Sequence, residues 1–241
     1  MDKPNRRQFI SGGGWLRKVI KVQGQVARKQ AGLALASMID FRRYPLALLA
    51  DTTAYMDVSE ADITLGNAAL DKVQHQQACL AAFVQGADWT EALILEAQYI
   101  KAAAALKQDF ELLTRIREVE AERAAPDRTP NVRHAPLGSQ RFYGLLNAIA
   151  HPSNLDNMLA LLSYTSTPHL SIGPIFRDQV SKDMYSLHIW LCLQMSLESL
   201  GILISLLGED HDDVIESASW LSLLAEKAEG LFVYSNPSGE S

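Results

Sequence analysis

The chain has 241 residues, of which 48% are hydrophobic and 21% are charged, and its net charge is −6 at pH 7. This length allows one sizeable core, and this balance of residues excludes an intrinsically disordered chain. The two cysteines, Cys79 and Cys192, lie far apart in apolar segments, which is typical of buried thiols in a reducing compartment and argues against a disulfide framework.

The N-terminal segment is basic, whereas the rest of the chain is acidic. Residues 1–43 contain ten Lys or Arg and two Asp, a net charge of +8, so residues 44–241 carry −14. The three glycines at 12–14 predict a flexible tether, because a phosphate-binding loop would need a preceding strand and a Gly-Lys-Ser/Thr ending. From Trp15 onward apolar residues recur at helical spacing, which predicts a basic amphipathic helix.

The cations of this helix are candidate residues for binding nucleic acid or another anion. They are Arg17, Lys18, Lys21, Arg28 and Lys29. The apolar stripe of the helix includes Val26 and Leu33. A basic arm of this kind can dock on its own acidic body, on a second subunit, on another protein, on RNA or on anionic lipid. We favour docking on its own body or on a second copy, as in a homodimer, and a membrane surface is less favoured.

Helices are predicted for most of the remaining chain. A helical run is broken early by Pro45, and a capping box at Ser59 begins a helix that Gly86 ends. The next capping signal, at Asp88, begins the longest helix, which runs to about residue 123. Its apolar stripe, close to a heptad seam, is Tyr99, Ala102, Leu106, Phe110, Leu113 and Ile116.

Further helices follow an exposed, proline-containing connection over 124–138. A short helix over 139–151 stops at Pro152, because a proline disfavours the helical conformation of the residue before it. A strongly apolar helix over 179–207 is expected to supply much of the core. Its expected core residues are Leu187, Trp190, Leu191, Leu197, Leu200 and Leu203.

Without an alternating strand pattern or a repeat, the sequence predicts an all-α multi-helix bundle with a long central helix pair. The bundle is expected over 44–234, the basic helical arm over 1–43 and a disordered tail over 235–241. The apolar helix is interrupted by His188 and Glu198, which favours a core helix over a membrane span. Because the first residues also lack an apolar signal-peptide core, we expect a cytoplasmic protein.

One helix carries a group of polar side chains at helical spacing. Tyr143, Asn147 and His151 are four residues apart and therefore project from one face, and Arg141 lies two residues before Tyr143. A His supplies an acid or base near neutral pH and an Arg stabilises a developing phosphate charge, so these four are the candidate catalytic residues. The same face also fits a helix-end hydrogen-bond cluster without catalysis. No metal-ligand pattern is present, and no cofactor is expected.

The order of these elements resembles the HEPN superfamily over roughly residues 90–207. The resemblance rests on a long helix, an exposed loop, a short helix that carries Tyr143 and Asn147 and ends in His-Pro-Ser, and a closing apolar helix. Members are often metal-independent ribonucleases of toxin–antitoxin or antiviral defence systems, and they act as dimers that place two Arg-x(4–6)-His motifs at one cleft. The resemblance implies that His151 is the motif histidine and that Asn147 is the polar residue that follows the arginine.

The motif arginine is absent, because its position is occupied by Leu146. Arg141 lies ten residues before His151, about 15 Å along a helix, so a cation would have to come from a loop or a second chain. We therefore predict a catalytically degenerate HEPN-like bundle that acts by binding RNA or a protein in a bacterial defence or toxin–antitoxin system. The alternatives are an active metal-independent endoribonuclease and a membrane-surface or assembly scaffold that works through the basic arm.

Overall fold

The computed structural model describes residues 6–55, 67–125, 127–151, 153–163 and 170–229. These residues form α-helices, one 3-10 turn and a single isolated β-bridge, and they contain no β-strand. The helices are α1 (Arg6–Ala34), α2 (Ala36–Tyr55), α3 (Asn67–Leu95), α4 (Tyr99–Glu120), α5 (Gln140–Ala150), α6 (Leu155–Leu162), α7 (Asp178–Leu207) and α8 (Asp212–Glu229), and the 3-10 turn is Val132–His134. The prediction of an all-α multi-helix bundle is confirmed.

Helix α7 lies at the centre of the bundle and packs against α2, α3, α4 and α8. It is apolar around most of its circumference, as expected of a helix that neighbours cover on several sides. Helices α3 and α4 pack along each other, because a connection of three residues makes them antiparallel neighbours. The predicted apolar stripe of α4, from Tyr99 to Ile116, is entirely buried and faces this core.

Four of the six predicted core residues of α7 are buried, namely Leu187, Leu191, Leu200 and Leu203. Trp190 is half-buried and stacks on Phe110 of α4 with ring centroids 6.3 Å apart. The prediction for Leu197 is wrong, since its exposed fraction is 48%. Leu197 lies two turns beyond Trp190 on the same side of α7, and its side chain is left largely exposed there.

The predicted helix boundaries around residue 86 are also wrong. Helix α3 continues through Gly86 and through the supposed start signal at Asp88 and Thr90. The polar side chains of that signal bond to other helices: Asp88 pairs with Arg42 of α2, and Thr90 donates to Asp109 of α4. Side chains that have tertiary partners are not available as caps.

The actual break between α3 and α4 lies at residues 96–98. The amide of Gln98 donates to the carbonyl of Leu93, and the amide of Ala97 donates to that of Ile94. This pair of bonds is the Schellman motif, whose central residue adopts a left-handed conformation. Ala97 takes that position with φ +56°, where a glycine is usual.

The glycines at 12–14 lie inside α1 and do not form a tether. Only Leu35 separates α1 from α2, and it is fully buried. The predicted arm over 1–43 therefore includes the first residues of α2, among which Met38 and Phe41 belong to the core of the bundle. The capping box at Ser59 and the predicted tail over 235–241 lie outside the described residues.

Candidate functional site

Helix α5 is attached to α4 through Tyr143. The Tyr143 hydroxyl donates to Glu111 Oε1 at 2.8 Å, and its ring lies beside Phe110 with centroids 5.8 Å apart. The nearby Glu111 carboxylate and partial burial raise the pKa of Tyr143 to about 12, so its hydroxyl stays a donor. Tyr143 therefore holds α5 in place and is turned to α4.

His151 ends α5 and is exposed. Its amide closes the last helical turn on the carbonyl of Asn147 at 3.0 Å, and its Nδ1 lies 2.8 Å from the hydroxyl of Ser153. The side chain of Asn147 is exposed, and within the described residues it makes no recorded hydrogen bond. The predicted hydrogen-bond cluster of Tyr143, Asn147 and His151 is therefore wrong, since each of these side chains has different surroundings.

The structure does not bring Arg141 to His151. The Arg141 guanidinium lies over the ring of Phe142, 4.9 Å from its centroid. Leu146, at the position of the motif arginine, is buried in the core, so that position faces inward. Among the described residues, the contact recorded for the exposed His151 imidazole is the Ser153 hydroxyl, whereas phosphate cleavage also requires a cation. Within the described residues no group of three His, Cys, Asp or Glu could hold a metal ion.

Helix α1 packs on the bundle through small side chains. Gly24, Ala27 and Ala31 are buried on its inner face, and Gly24 lies against Glu96 and Pro174. Small residues allow a close approach of two backbones, and this approach sets which side of α1 turns inward. The apolar residues at other positions are left on the outside.

The outer side of α1 carries what we call the outward stripe. Its residues, at helical spacing along one side, are Trp15, Lys18, Val22, Val26, Lys29 and Leu33, and all are exposed. An amphipathic helix docked on its body would bury Val26 and Leu33, but their exposed fractions are 54% and 79%. Within the described part of the chain, α1 thus presents an apolar stripe with two cations to solvent.

The other predicted cations lie at the edge of α1 that faces the α3–α4 break. Arg28 forms a salt bridge with Glu96 at 3.3 Å, and Arg17 and Lys21 line a depression beside the same carboxylate. All five candidate cations of α1 are exposed. The sequence did not predict that they divide into two groups on different sides of the helix.

A buried polar network joins α2, α3 and α7, and the sequence analysis missed it. The Arg42 side chain donates to His188 Nε2 at 2.9 Å and forms salt bridges with Asp88 at 3.0 Å and Glu91 at 3.2 Å. Glu91 also accepts a hydrogen bond from the Tyr185 hydroxyl. Burial, aided by the Arg42 charge, lowers the pKa of His188 to about 3, so His188 is a neutral acceptor. The only signal in the sequence was a histidine in an otherwise apolar helix.

Asp109 of α4 is also buried, and its carboxyl group accepts a hydrogen bond from the Thr90 hydroxyl at 3.1 Å. Desolvation raises the pKa of Asp109 to about 7, and the Thr90 hydrogen bond opposes this only in part. Burial also raises the pKa of the Cys192 thiol to about 12, which leaves it an inert thiol. These groups fix helices to one another, and none of them combines a nucleophile with a base.

Comparison with known proteins gives no match: no family model, no curated protein and no solved structure matches this chain. Membership of the HEPN superfamily therefore stays a prediction. Two helices, over Ala69–Leu95 and Asp178–Leu207, are long and apolar enough to cross a membrane. The second is α7, and half of its most apolar window is buried inside the bundle, as in the core helix of a globular protein.

Proposed function

We propose that this chain is a non-catalytic, HEPN-like binding protein whose recognition surface is the outward stripe of α1, in a bacterial defence or toxin–antitoxin setting. The observation that carries the proposal is the exposure of four apolar side chains, together with two lysines, on one helix face. An exposed apolar surface with a charged rim is typical of a protein interface. The placement of Arg141 over Phe142, away from His151, supports binding over cleavage.

The chemistry of the stripe favours a protein partner over RNA. RNA recognition needs phosphate contacts from cations and stacking on aromatic rings. Here the centre of the surface is formed by Val22 and Val26, which offer neither, and Trp15 is the sole aromatic residue of the stripe. A helix with apolar and acidic residues on one face would complement both the shape and the charge of the stripe.

The chain itself carries such a face on α8. We call it the acidic face, and its exposed residues are Asp212, Ile215, Glu216, Leu223 and Glu226. These residues recur at helical spacing, and Val214 and Leu224 on the other side are buried against the bundle. Helices α1 and α8 are not packed on each other within the chain. We therefore propose a second copy as the partner, with the outward stripe of each copy on the acidic face of the other.

Sedimentation velocity on the full chain tests this pairing. The wild type should be a dimer whose association weakens with salt, because oppositely charged faces attract. Lys18→Glu with Lys29→Glu should yield monomers. Adding Glu216→Lys and Glu226→Lys to those two changes should restore the dimer, since the charges are then exchanged. Arg133→Glu, a change at an exposed cation on another surface, should leave the dimer intact.

A monomeric wild type, or a charge exchange that fails to restore association, would contradict the second copy as partner. Vesicles with a high content of phosphatidylglycerol give the competing outcome. If the wild type stays monomeric but binds those vesicles through Lys18 and Lys29, the outward stripe is a lipid-binding surface instead. Binding of single-stranded RNA that those two substitutions abolish would likewise replace the protein partner with RNA.

A further inference from the structure

A cavity of about 230 Å³ opens between α1, the α3–α4 break, α6 and the segment 172–175. Most of its wall is apolar, and the side chains of that part are Ile20, Leu161, Leu162, Ile172, Pro174 and Ile175. The break closes one side. Tyr99 of that side is fixed, because its hydroxyl accepts from the Arg177 amide at 2.7 Å and lies 2.9 Å from the Ser181 hydroxyl. The cavity is therefore formed by elements that the fold holds in place.

A polar depression adjoins the apolar cavity and shares part of its wall. Arg17 and Lys21 line this depression together with Glu96. The Glu96 carboxylate is already engaged, by Arg28 at 3.3 Å and by the side-chain amide of Gln98 at 3.0 Å. Within the described residues Arg17 and Lys21 have no recorded ion-pair partner. Arg17 and Lys21 thus lie at the end of a largely apolar cavity, whose own wall includes a third cation, Lys101.

We infer that these joined cavities bind a single-chain amphiphile with an anionic head, the chain in the apolar cavity and the head at Arg17 and Lys21. Transfer of an apolar chain out of water drives such binding, and the charged head fixes its orientation. The volume is below the roughly 300–1,000 Å³ of sites for drug-sized ligands, so a short chain fits. The inference is independent of the proposed dimer, since it uses the opposite edge of α1.

Isothermal titration calorimetry of the full chain with four probes of equal chain length tests this inference. Octanoate and octyl phosphate should each bind at one saturable site. Octanol lacks the charge and octylamine has the opposite charge, so both should bind at least tenfold more weakly. The tighter of the two anions identifies the head group as a carboxylate or a phosphate.

Variants on one helix assign the site. Arg17→Gln with Lys21→Gln should weaken octanoate at least tenfold and leave octanol unchanged, whereas Ile20→Trp should abolish binding of all probes by filling the junction. The matched control is Lys18→Gln with Lys29→Gln, which removes two charges from the outward stripe and should leave octanoate binding unchanged. Circular dichroism of each variant checks that α1 remains folded.

The inference is overturned if octanoate binds no more tightly than octanol, or if the wild type shows no saturable binding of either anion. Equal losses from the two pairs of glutamine substitutions would also overturn it, because octanoate would then respond only to the total charge of α1. The dimer is disrupted by changes at Lys18 and Lys29 and the amphiphile by changes at Arg17 and Lys21, so failure of one proposal is distinguishable from failure of the other.

Discussion

Arg42 is a charged side chain on which three helices depend, since it pairs with groups of α3 and α7 while almost fully buried in α2. Arg42→Ala should lower the free energy of unfolding by about 3–5 kcal/mol, because buried His188 would lose its donor and the half-buried Glu91 carboxylate would lose its counter-ion. Urea denaturation measures the loss. The adjacent Arg43 is exposed and pairs only with Asp40, so Arg43→Ala should cost less than about 0.5 kcal/mol. Similar losses from both variants would show that the Arg42 network does not stabilise the core.

Two buried groups have opposite effects on the pH dependence of stability. Burial raises the pKa of Asp109 from 3.8 to about 7, so between those values the folded state holds a proton that the unfolded state has lost, and stability falls as pH rises. Burial lowers the pKa of His188 from 6.5 to about 3, so over that interval the unfolded state holds the extra proton and stability rises with pH. The two slopes offset each other between about pH 4 and 6.5.

Asp109→Asn should remove the contribution of Asp109 to this balance. The free energy of unfolding of the variant relative to wild type should increase with pH from 4 to 7, with a limiting slope of about 1.4 kcal/mol for each pH unit. Urea melts at several pH values measure this difference, in which the other titrating groups cancel. Asp71→Asn, at an exposed acid, is the control and should give a parallel profile. A parallel profile for Asp109→Asn would mean that Asp109 is ionised in the folded protein.

His151→Ala should change the free energy of unfolding by less than about 0.5 kcal/mol, because the side chain is exposed and bonds only to the neighbouring Ser153. Had the predicted helix-end cluster formed, the loss would have been about 1–3 kcal/mol. Incubation of wild type and variant with single-stranded RNA without added metal should show no cleavage by either. Cleavage by the wild type that His151→Ala abolishes would establish the ribonuclease alternative, and Arg141→Ala would then test the cation.

At the scale of helices, Gly86 distinguishes a continuous α3 from the predicted helix end. Inside a helix, Gly86→Ala should raise the free energy of unfolding by about 0.5–1 kcal/mol, and the new methyl would lie at an ordinary 3.9 Å from Asp109. Gly208 is the matched control. It follows α7 with φ +89°, so Gly208→Ala should destabilise the protein. Thermal melts of both variants should shift in opposite directions, and a shift of Gly86→Ala in the same direction as Gly208→Ala would restore the predicted boundary.

The helices themselves could be predicted from the sequence because apolar residues recur at helical spacing over many turns. Two of their ends could not. Helices α3 and α4 both end in a Schellman motif, with Ala97 and Glu122 in the left-handed position where the sequence signal would be glycine. A side chain can occupy that conformation at modest cost when surrounding packing holds it there. The sequence therefore predicts the end of α3 at the nearest glycine, Gly86, whereas the left-handed residue that ends the helix is Ala97, eleven residues later.

The candidate surfaces, like the helices, could be predicted from the sequence only in part. The sequence singled out Arg17, Lys18 and the other cations of α1 as candidates for anion binding, and all of them are exposed. The buried face of α1 could not be predicted, because it is made of Gly24, Ala27 and other small residues whose contribution is close backbone packing. The Arg42 network joins residues up to 146 positions apart, and a single sequence contains no record of such pairings.

At the scale of the whole molecule, the buried residues of α1 within the part whose burial is described, 14–34, are Gly24, Ala27 and Ala31. Deleting residues 1–22 should therefore change the free energy of unfolding of the bundle by less than about 1 kcal/mol, while it removes Trp15 and Lys18 from the outward stripe. Deleting residues 1–34 should cost about 1–2 kcal/mol more, since the apolar burial of Ala27 and Ala31 against the bundle is removed with the helix. Thermal and urea melts measure both. A large loss from the shorter deletion would make the first turns of α1 part of the core.

The single residue between α1 and α2 determines how the molecule meets a partner. The amide of Leu35 donates to the carbonyl of Ala31, and the carbonyl of Leu35 accepts from the amide of Ile39. The helical hydrogen bonds therefore continue from α1 into α2 through Leu35. A binding surface on a flexible tether samples many orientations, and it loses conformational entropy when it binds. The outward stripe is instead held in a fixed position relative to the bundle, because its helix continues into α2 through Leu35. The stripe therefore presents a single orientation to a partner, and binding costs it little conformational entropy.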